Sequence, residues 1–304
     1  MRSTLYVPGD RSERFDKAMA SGADAVILDL EDAVAPSSKN AARDAVCAYL
    51  STHAQGVAGG GSGPALFVRI NQGDVGATDA AAVVEAGGQA LHGLYIPKVS
   101  EVGDILSIDH VVDRAEASGH VPAMHVGFVA LLETASGIFN GTSIALHQRV
   151  KRLAIGEADL AAELGVELTP GDERELLTAR SLVVMASAAA GIEPPVGPVS
   201  VNFKDLESLR GSCEALRRLG FRGRSAIHPT QVPIINEVFT PSVGQLRKAE
   251  RIVEIFDAAI AEGRGAVADD NGKMIDEAVV RTARRVLAQR SLIEAATDQK
   301  DMRT

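Results

Sequence analysis

The chain has few aromatic residues and little cysteine. It contains no Trp, 3 Tyr and 8 Phe, so it offers few flat rings on which nucleic-acid bases could stack. A formal net charge of −9 at pH 7 also argues against a general nucleic-acid binder, because such proteins need a basic surface. Cys47 and Cys213 are too few for a disulfide scaffold and lack metal-ligand spacing. They are typical of small buried residues in a reducing compartment.

Long apolar runs are also missing. The sequence contains no stretch of about 18 uncharged apolar residues that could cross a bilayer. Residues 1–20 carry many charged side chains, among them Arg2, Asp10 and Arg11, so we expect no signal-peptide segment there. These absences predict a soluble, cytoplasmic protein that does not bind membranes.

Short apolar runs alternate with helix-like stretches along the 304 residues. The runs are nearly continuous in apolar residues, which is typical of a parallel sheet covered on both faces. The predicted strands are Ser3–Val7, Ala25–Leu30, Ala65–Ile70, Gly93–Ile96, His125–Leu132, Arg152–Ile155, Pro198–Phe203 and Arg224–Ile227. Eight strands with intervening helices predict an α/β fold, the (β/α)8 TIM barrel. A doubly wound open sheet is the alternative, although no G-x-G-x-x-G motif follows the first strand.

The chain continues beyond what such a barrel needs. We assign residues 1–234 to the barrel and 235–304 to a C-terminal helical extension. Within the extension, Gln245–Gly263 and Lys273–Arg290 are predicted helices separated by a polar loop. We expect the extension to form a lid over the barrel mouth or to dock on a neighbouring subunit.

Polar residues follow nearly every predicted strand. The carboxyl ends of TIM-barrel strands carry the chemistry, so this convergence favours an enzyme over an inert scaffold. Glu133 and Asp159 follow adjacent strands, and two carboxylates with room for water and substrate suit Mg²⁺. The structural alternative is that Asp159 caps a helix at Leu160–Leu164 and that Glu133 pairs with a nearby base. Spacing alone favours neither interpretation.

Arg69 is a further candidate, because it follows a strongly apolar run. A guanidinium is costly there unless it is paired or faces a ligand, and its planar fork can bind a carboxylate or an enolate oxygen. Its alternative role is an ion pair with Asp29, Glu31 or Asp32, and one arginine can serve both purposes. We expect Glu31 and Asp32 to hold Arg69 or metal-bound water rather than to ligate the metal.

Other charged residues have a structural interpretation beside the functional one. Lys98 could form a Schiff base with a carbonyl substrate, but Pro-Lys at a strand end is more often structural or a binding cation. His228 could act as a base, but before Pro229 we expect it to hydrogen-bond within the turn. Arg14 and Lys17 belong to a group of cations that is either a solvated helix face or a dock for a phosphate-bearing ligand.

A series of motifs occurs in order between Leu5 and about Leu287. The stretches are LYVPGDRSERFDKA, GADAVILDLEDAVAP, FVRIN, IPKV, LLETASG, GEADLAAELG, LGFRGRSAIHP and GKMID. Together they resemble the citrate lyase β-subunit-like family of the HpcH/HpaI aldolase superfamily, which includes malyl-CoA and citramalyl-CoA lyases. The resemblance implies a TIM barrel that binds Mg²⁺, with Mn²⁺ as an alternative, and that assembles as homotrimers or hexamers.

The same resemblance implies reversible carbon–carbon cleavage of a 3-hydroxyacyl-CoA into acetyl-CoA, or an analogue, and a 2-oxo acid. Glu133 and Asp159 would be the metal ligands, with Glu133 also close to the substrate. Arg69 would bind the 2-oxo acid and stabilise the enolate. Asp276 of GKMID resembles an acid/base aspartate on a C-terminal lid that reaches a neighbouring subunit's site. The residues that would lie near the CoA are Tyr6, Arg14 and Lys17.

Two alternatives within the family stay open. One is the β subunit of an acyl-carrier-protein-dependent citrate lyase, which the lid motif disfavours. The other is a malyl-CoA thioesterase, in which Asp276 would activate water. The chain also departs from the family pattern, with Asn202 where the end of the seventh strand is often acidic. Gly156-Glu157 replaces a small or Gly-rich pair before Asp159, and both departures bear on the substrate side chain.

Overall fold

The computed structural model describes residues 1–58, 63–169, 174–269 and 271–301. The chain forms two compact units, Met1–Phe239 and Thr240–Thr304. The first unit is a closed barrel of parallel strands in which the last strand pairs with the first. The predicted TIM barrel is therefore confirmed.

Each barrel strand pairs with its neighbour along the chain. The strands are β1 (Ser3–Pro8), β2 (Ala25–Asp29), β3 (Ala65–Arg69), β4 (Leu91–Ile96), β5 (Gly127–Leu132), β6 (Val150–Ile155), β7 (Glu193–Gly197) and β8 (Gly223–Ala226). In the parallel register, Asp29 at the end of β2 is opposite Arg69 at the end of β3. This register places the two charged residues side by side at one rim of the barrel.

Helices follow the strands and cover the outside of the barrel. They are α1 (Phe15–Met19), α2 (Lys39–Ala58), α3 (Gly73–Gly87), α4 (Val102–Ser118), α5 (Ala135–Ala145), α6 (Glu157–Leu164), α7 (Leu177–Ala190), α8 (Leu206–Leu219) and α9 (Val232–Phe239). Local sequence fixes such bounds, as α8 shows. The Asp205 carboxylate accepts a hydrogen bond from the Ser208 N–H at 3.0 Å, and Gly220, with φ of 120°, ends the helix.

Apolar residues fill both sides of the barrel wall. Val26 and Leu66 belong to the buried cluster that joins the strands to the helices. A second buried cluster includes Ile27 and Phe67, the residues that follow Val26 and Leu66 in the same strands and therefore face the other side of the sheet. Because both faces of the sheet are buried, the strands appear in the sequence as continuous apolar runs. Neither cysteine forms a disulfide.

The seventh strand is the one whose position the sequence predicted wrongly. It was expected at Pro198–Phe203 but lies at Glu193–Gly197. Its sequence, EPPVG, is rich in proline, which cannot donate to a strand ladder and usually argues against a strand. The pairing of β6 with β7 is irregular, with a register shift between Arg152 and Ala154. Asn202 therefore lies in the loop after β7 and not at the end of the strand.

The second unit contains α10 (Val243–Ala261), α11 (Glu277–Asp301) and an antiparallel pair of short strands, β9 (Val267–Ala268) and β10 (Met274–Ile275). Both predicted helices are present, but α11 begins later than expected because Met274–Ile275 pairs as a strand. The buried core of this unit includes a cluster of Phe256, Ile275 and Val280. In neither unit does a described helix have the length and apolar character that a membrane span requires.

Candidate active site

Charged residues that follow consecutive strands meet at one rim of the barrel. Parallel strands end at the same rim, so residues distant in sequence become neighbours there. The group consists of Asp29, Glu31, Asp32, Arg69, Lys98, Glu133 and Asp159, and we call it the rim cluster.

Arg69 is held in the cluster chiefly by Asp29. Its Nε and Nη2 atoms donate to the two carboxylate oxygens of Asp29, each at 2.7 Å. Its Nη1 atom lies 2.9 Å from Glu31 Oε2. Burial alone would lower the pKa of Arg69, but the hydrogen bonds and charge of Asp29 raise it. The guanidinium therefore stays charged although only 11% of its side chain is exposed.

Tyr6 packs against Arg69. The guanidinium carbon lies 5.0 Å from the centroid of the Tyr6 ring, which makes a cation–π contact. Burial raises the pKa of the Tyr6 phenol well above its usual range, so the ring stays neutral. Tyr6 and Asp29 together restrict the orientation of the Arg69 guanidinium.

Glu133 follows β5 and is 4% exposed. Its Oε1 atom accepts a hydrogen bond from the backbone N–H of Lys98 at 2.8 Å. Burial raises the pKa of Glu133 to about 7 despite that hydrogen bond, and the charge of Asp159 adds to the rise. A cation beside this carboxylate would relieve the unfavourable negative charge.

The space for Glu133 depends on Gly156, which follows β6. A Cβ atom on residue 156 would lie 2.3 Å from Glu133 Oε2 and 2.7 Å from Glu133 Cβ. Contacts this short do not occur between real side chains, so any larger residue would displace the carboxylate. The departure from the family pattern at Gly156-Glu157 is thus explained at its first residue, because only glycine at position 156 leaves room for Glu133.

Glu157, the second residue of that departure, forms an ion pair with Arg180 of α7. Arg180 Nη2 donates to Glu157 Oε2 at 2.7 Å, and the two side chains are 8% exposed or less. The pair joins the first turn of α6 to α7. Since Asp159 lies in the same turn, Glu157 helps to fix the position of Asp159 through the helix.

Asp159 is more exposed than Glu133, with 45% of its side chain exposed. The N-cap of α6 is Gly156, so the expected alternative in which Asp159 caps this helix is not what the structure shows. Instead, Asp159 Oδ2 lies 3.7 Å from Lys98 Nζ. Glu133 and Asp159 thus contact the same residue, one at its backbone and one at its side chain.

Lys98 also reaches the loop after β2. Its Nζ atom donates to Glu31 Oε1 at 2.9 Å and lies 3.5 Å from Asp32 Oδ1. The hydrogen bond to Glu31 and the surrounding carboxylates raise the pKa of Lys98, so it keeps its charge. A protonated amine is not a nucleophile, which argues against a Schiff base here. Lys98 has φ of 52°, a conformation that is rare outside glycine and is often found at functional sites.

The donor atoms of the rim cluster fit a hard divalent cation. Glu133 and Asp159 supply carboxylate oxygens, which Mg²⁺ prefers. In the described part of the chain, no three or more His, Cys, Asp or Glu side chains are arranged to enclose a metal. A cation held by the two carboxylates would therefore keep positions for water and substrate oxygens, as Mg²⁺ commonly does.

Comparison with known proteins identifies the family. The model of the HpcH/HpaI aldolase/citrate lyase family matches residues 2–229. The chain belongs to this family. A (3S)-malyl-CoA thioesterase of Cereibacter sphaeroides is 37% identical over 296 residues, which cover 97% of this chain and 96% of the relative. An L-malyl-CoA/beta-methylmalyl-CoA lyase of the same organism is 33% identical over 314 residues, with coverage of 97% and 96%.

Solved structures of similar proteins have the same fold. CitE from Mycobacterium tuberculosis, in complex with magnesium, acetoacetate and coenzyme A, superposes with a TM-score of 0.73 at 30% identity. That match covers 96% of this chain and 100% of the other. The citrate lyase beta subunit of M. tuberculosis, complexed with oxaloacetate and magnesium, has a TM-score of 0.63 at 28% identity and covers 79% and 97%. The resemblance noted in the sequence motifs is thereby confirmed.

Arg14 and Lys17, which the family motifs suggested, are not part of the rim cluster. Arg14 and Lys17 are exposed, and Arg14 Nε lies 3.7 Å from Glu13 Oε1. Asp276 belongs to the second unit, where its carboxylate accepts a hydrogen bond from the Val279 N–H at 3.0 Å. This hydrogen bond makes it a capping residue of α11, and its catalytic role stays a prediction.

His228 and Asn202 have local partners. His228 Nδ1 lies 2.8 Å from the Thr230 hydroxyl, and its ring stacks on Phe203 with centroids 4.7 Å apart. This hydrogen bond is the turn contact expected before Pro229. The Asn202 side chain accepts a hydrogen bond from the Lys204 N–H at 3.3 Å.

The contacts that Lys98 and Gly156 make in the site were not predicted from the sequence. Lys98 was considered only as a nucleophile or a general cation, yet it contacts Glu31 and Asp159 directly. The signal was present, because Lys98 follows β4 and must end at the same rim as those acids. Gly156 gave no such signal, since its importance depends on a contact with Glu133 that only the folded chain creates.

Proposed function

We propose that this protein is a Mg²⁺-dependent acyl-CoA lyase. It would cleave a 3-hydroxyacyl-CoA, such as malyl-, citramalyl- or citryl-CoA, reversibly into acetyl-CoA or an analogue and a 2-oxo acid. The rim cluster carries this proposal, because it combines a carboxylate pair suited to a cation with a buried arginine held in its charged form. Relatives named for malyl-CoA chemistry support the choice of substrate class.

Glu133 and Asp159 would hold the metal, Mg²⁺ or alternatively Mn²⁺. The cation, when bound, would polarise the hydroxyl and carboxylate oxygens of the future 2-oxo acid. The chain prepares the two ligands beforehand. The Lys98 amide and the space beside Gly156 fix Glu133, and the first turn of α6 fixes Asp159.

Arg69 would stabilise the thioester enolate that forms as the carbon–carbon bond breaks. A charge placed before the reaction stabilises the transition state most effectively, because the protein then does not need to reorganise. Arg69 meets this requirement, since Asp29 holds it by two hydrogen bonds and Tyr6 contacts its guanidinium.

Asp276 would serve as the acid or base at the acetyl carbon. We place it on a lid, formed by residues 235–304, that acts on the site of a neighbouring subunit in a cytoplasmic homotrimer or hexamer. Arg14 and Lys17 would bind the phosphate groups of CoA, with Tyr6 nearby. Their exposure leaves both cations accessible to a ligand.

The proposal is tested by product analysis. Malyl-, citramalyl- and citryl-CoA are incubated with the protein, with and without Mg²⁺, and the products are identified by mass spectrometry. A lyase gives acetyl-CoA and a 2-oxo acid only with the metal. Glu133→Gln and Asp159→Asn should each lower kcat by about 100-fold or more. Asp44→Asn, on the exposed side of α2, is the control. Full activity in both site variants would refute the assignment.

A malyl-CoA thioesterase is the second candidate. It is favoured by the 37% identity to a relative of that name. In this case Asp276 would activate water. The same assay separates the two functions, because hydrolysis releases free CoA and leaves the acyl carbon chain intact. A β subunit of a citrate lyase complex would instead be inert toward CoA thioesters and active with an acyl-carrier-protein substrate.

A further inference from the structure

The rim cluster holds more carboxylates than cations. Its only cations are Arg69 and Lys98, and Arg69 uses two of its nitrogens on Asp29. Arg69 also pairs with Glu31. Lys98 is therefore the cation of the cluster that forms an ion pair with Asp159 and balances its negative charge.

The distances around Lys98 Nζ differ in a way that bears on its role. The ammonium donates to Glu31 Oε1 at 2.9 Å, which is a normal hydrogen bond. It lies 3.7 Å from Asp159 Oδ2, which is an ion pair without a hydrogen bond. Lys98 thus neutralises Asp159 without using the lone pairs of its oxygens.

We propose that Lys98 is a resident counter-ion that competes with the divalent cation for Asp159. The inference rests on the proposed function, because it takes Glu133 and Asp159 as the metal ligands. In the metal-free protein the ammonium reduces repulsion among Glu31, Asp32 and Asp159. When a divalent cation is present, the same ammonium repels it and weakens its binding.

A counter-ion role and a purely structural role of Lys98 predict opposite effects of its substitution on metal affinity. Removing the charge while keeping the stem, as in Lys98→Met, leaves the cluster more negative. A counter-ion role therefore predicts divalent-cation binding that is tighter by about tenfold. A structural role predicts weaker binding, since the ligands would lose their support.

The experiment is isothermal titration of the full-length protein with MnCl₂ and MgCl₂ in the absence of substrate. Lys98→Met is compared with wild type and with Lys98→Arg, which keeps the charge. Lys39→Met is the matched control, because its Nζ donates to the backbone carbonyls of Leu30 at 2.8 Å and Glu31 at 2.6 Å. It removes an ammonium that contacts the loop after β2 without changing a side-chain ion pair of the cluster.

The expected result is a Kd about tenfold lower in Lys98→Met and near the wild-type value in Lys98→Arg and Lys39→Met. Unchanged or weaker binding in Lys98→Met, with normal binding by wild type, overturns the counter-ion role alone. Absence of divalent-cation binding by wild type overturns the proposed metal site and this inference with it. If circular dichroism shows that Lys98→Met is unfolded, Lys98→Gln takes its place with the same expectation.

Discussion

At the scale of single residues, the site depends on what surrounds its charged groups. Asp29 is 1% exposed and Glu31 5%, so Asp29 acts mainly on Arg69, and Glu31 on Arg69 and Lys98, rather than on solvent. Asp32, by contrast, has 56% of its side chain exposed. Three acids that are close in sequence thus differ in their access to a ligand.

Gly156→Ala tests whether space for Glu133 is required. The added methyl group would displace the Glu133 carboxylate, so we expect Mg²⁺ affinity to fall by about tenfold or more while the barrel stays folded. Titration calorimetry measures the affinity and a thermal melt checks the fold. Gly211→Ala in α8 is the control, since its Cβ would meet nothing within 4 Å. Equal metal affinity in Gly156→Ala and wild type would contradict the steric explanation.

Arg69→Lys tests the preorganised guanidinium. Lysine keeps the charge but cannot hydrogen-bond to both Asp29 oxygens in the same plane, so we expect kcat to fall by about 100-fold. Steady-state kinetics give kcat and KM separately, and the larger effect should be on kcat. Arg43→Lys is a control, because it alters a comparable pair with Asp79 on α2 and α3. A change in KM alone would argue against a role in the transition state.

Strand-end positions made several of these residues predictable. Asp29, Arg69 and Glu133 each end or directly follow a strand, and parallel strands of a barrel end at one rim. The backbone conformation of Lys98 was not predictable, since nothing in the local sequence requires a positive φ there. The roles assigned to these residues stay predictions until they are measured.

At the scale of elements, α4 is tied to the barrel by one completely buried arginine. Arg149, directly before β6, forms ion pairs with Asp109 and Asp113 and donates to Glu116 Oε2 at 2.8 Å. It also donates to the carbonyl of Val126, before β5, at 3.1 Å. Loss of Arg149 would leave the carboxylates of Asp109 and Glu116 buried without this cation, which is costly.

Glu116→Gln tests this anchor through pH. Burial alone would raise the pKa of Glu116, but hydrogen bonds from Arg149 and the Val126 N–H lower it. A carboxyl whose pKa is lowered by folding adds stability that is present above its unfolded pKa and is lost as pH falls below that value and through the lower pKa of the folded state. We expect the variant to lose about 2 kcal/mol of unfolding free energy at pH 7 and clearly less at pH 4.

Urea denaturation at the two pH values measures this difference. Asp44→Asn serves as the control, because Asp44 is exposed on α2. A difference between wild type and Glu116→Gln that stays constant from pH 7 to pH 4 would show that the charge of Glu116 does not stabilise α4.

The strands also show where the pattern of apolar residues fails to predict secondary structure. Most strands could be located because a sheet buried on both faces requires continuous apolar runs. β7 was misplaced because its prolines indicate a turn, whereas an irregular pairing with β6 accepts them. The short strands β9 and β10 have too few residues for any periodicity to predict them.

At the scale of the whole molecule, the proposal that Asp276 completes the site of a neighbouring subunit can be tested with mixed oligomers. Two variants that we expect to be inactive, Arg69→Ala and Asp276→Asn, are refolded together. If the lid of one subunit completes the site of another, random mixing at equal amounts restores about a quarter of the wild-type activity. Each variant refolded alone is the control. No recovery in the mixture would mean that Asp276 acts within its own chain or has no catalytic role.

Assembly is the level that the sequence describes least. The order of the strands in one chain predicts which side chains meet at a barrel rim. No comparable rule predicts the contacts between two copies of the chain. The motif around Asp276 therefore suggests a partner surface only through resemblance to a family. The mixed-oligomer experiment replaces that resemblance with a measurement.

The contact between residues 133 and 156 has a consequence for how such chains diverge. Glu133 Oε2 occupies the volume into which any side chain on residue 156 would extend. A mutation that adds a Cβ atom to residue 156 must displace residue 133, because the two Cβ atoms would lie 2.7 Å apart whatever the length of the side chain on residue 133. We therefore expect residue 156 to stay glycine in an alignment of relatives, and libraries that randomise residue 133 should leave residue 156 unchanged.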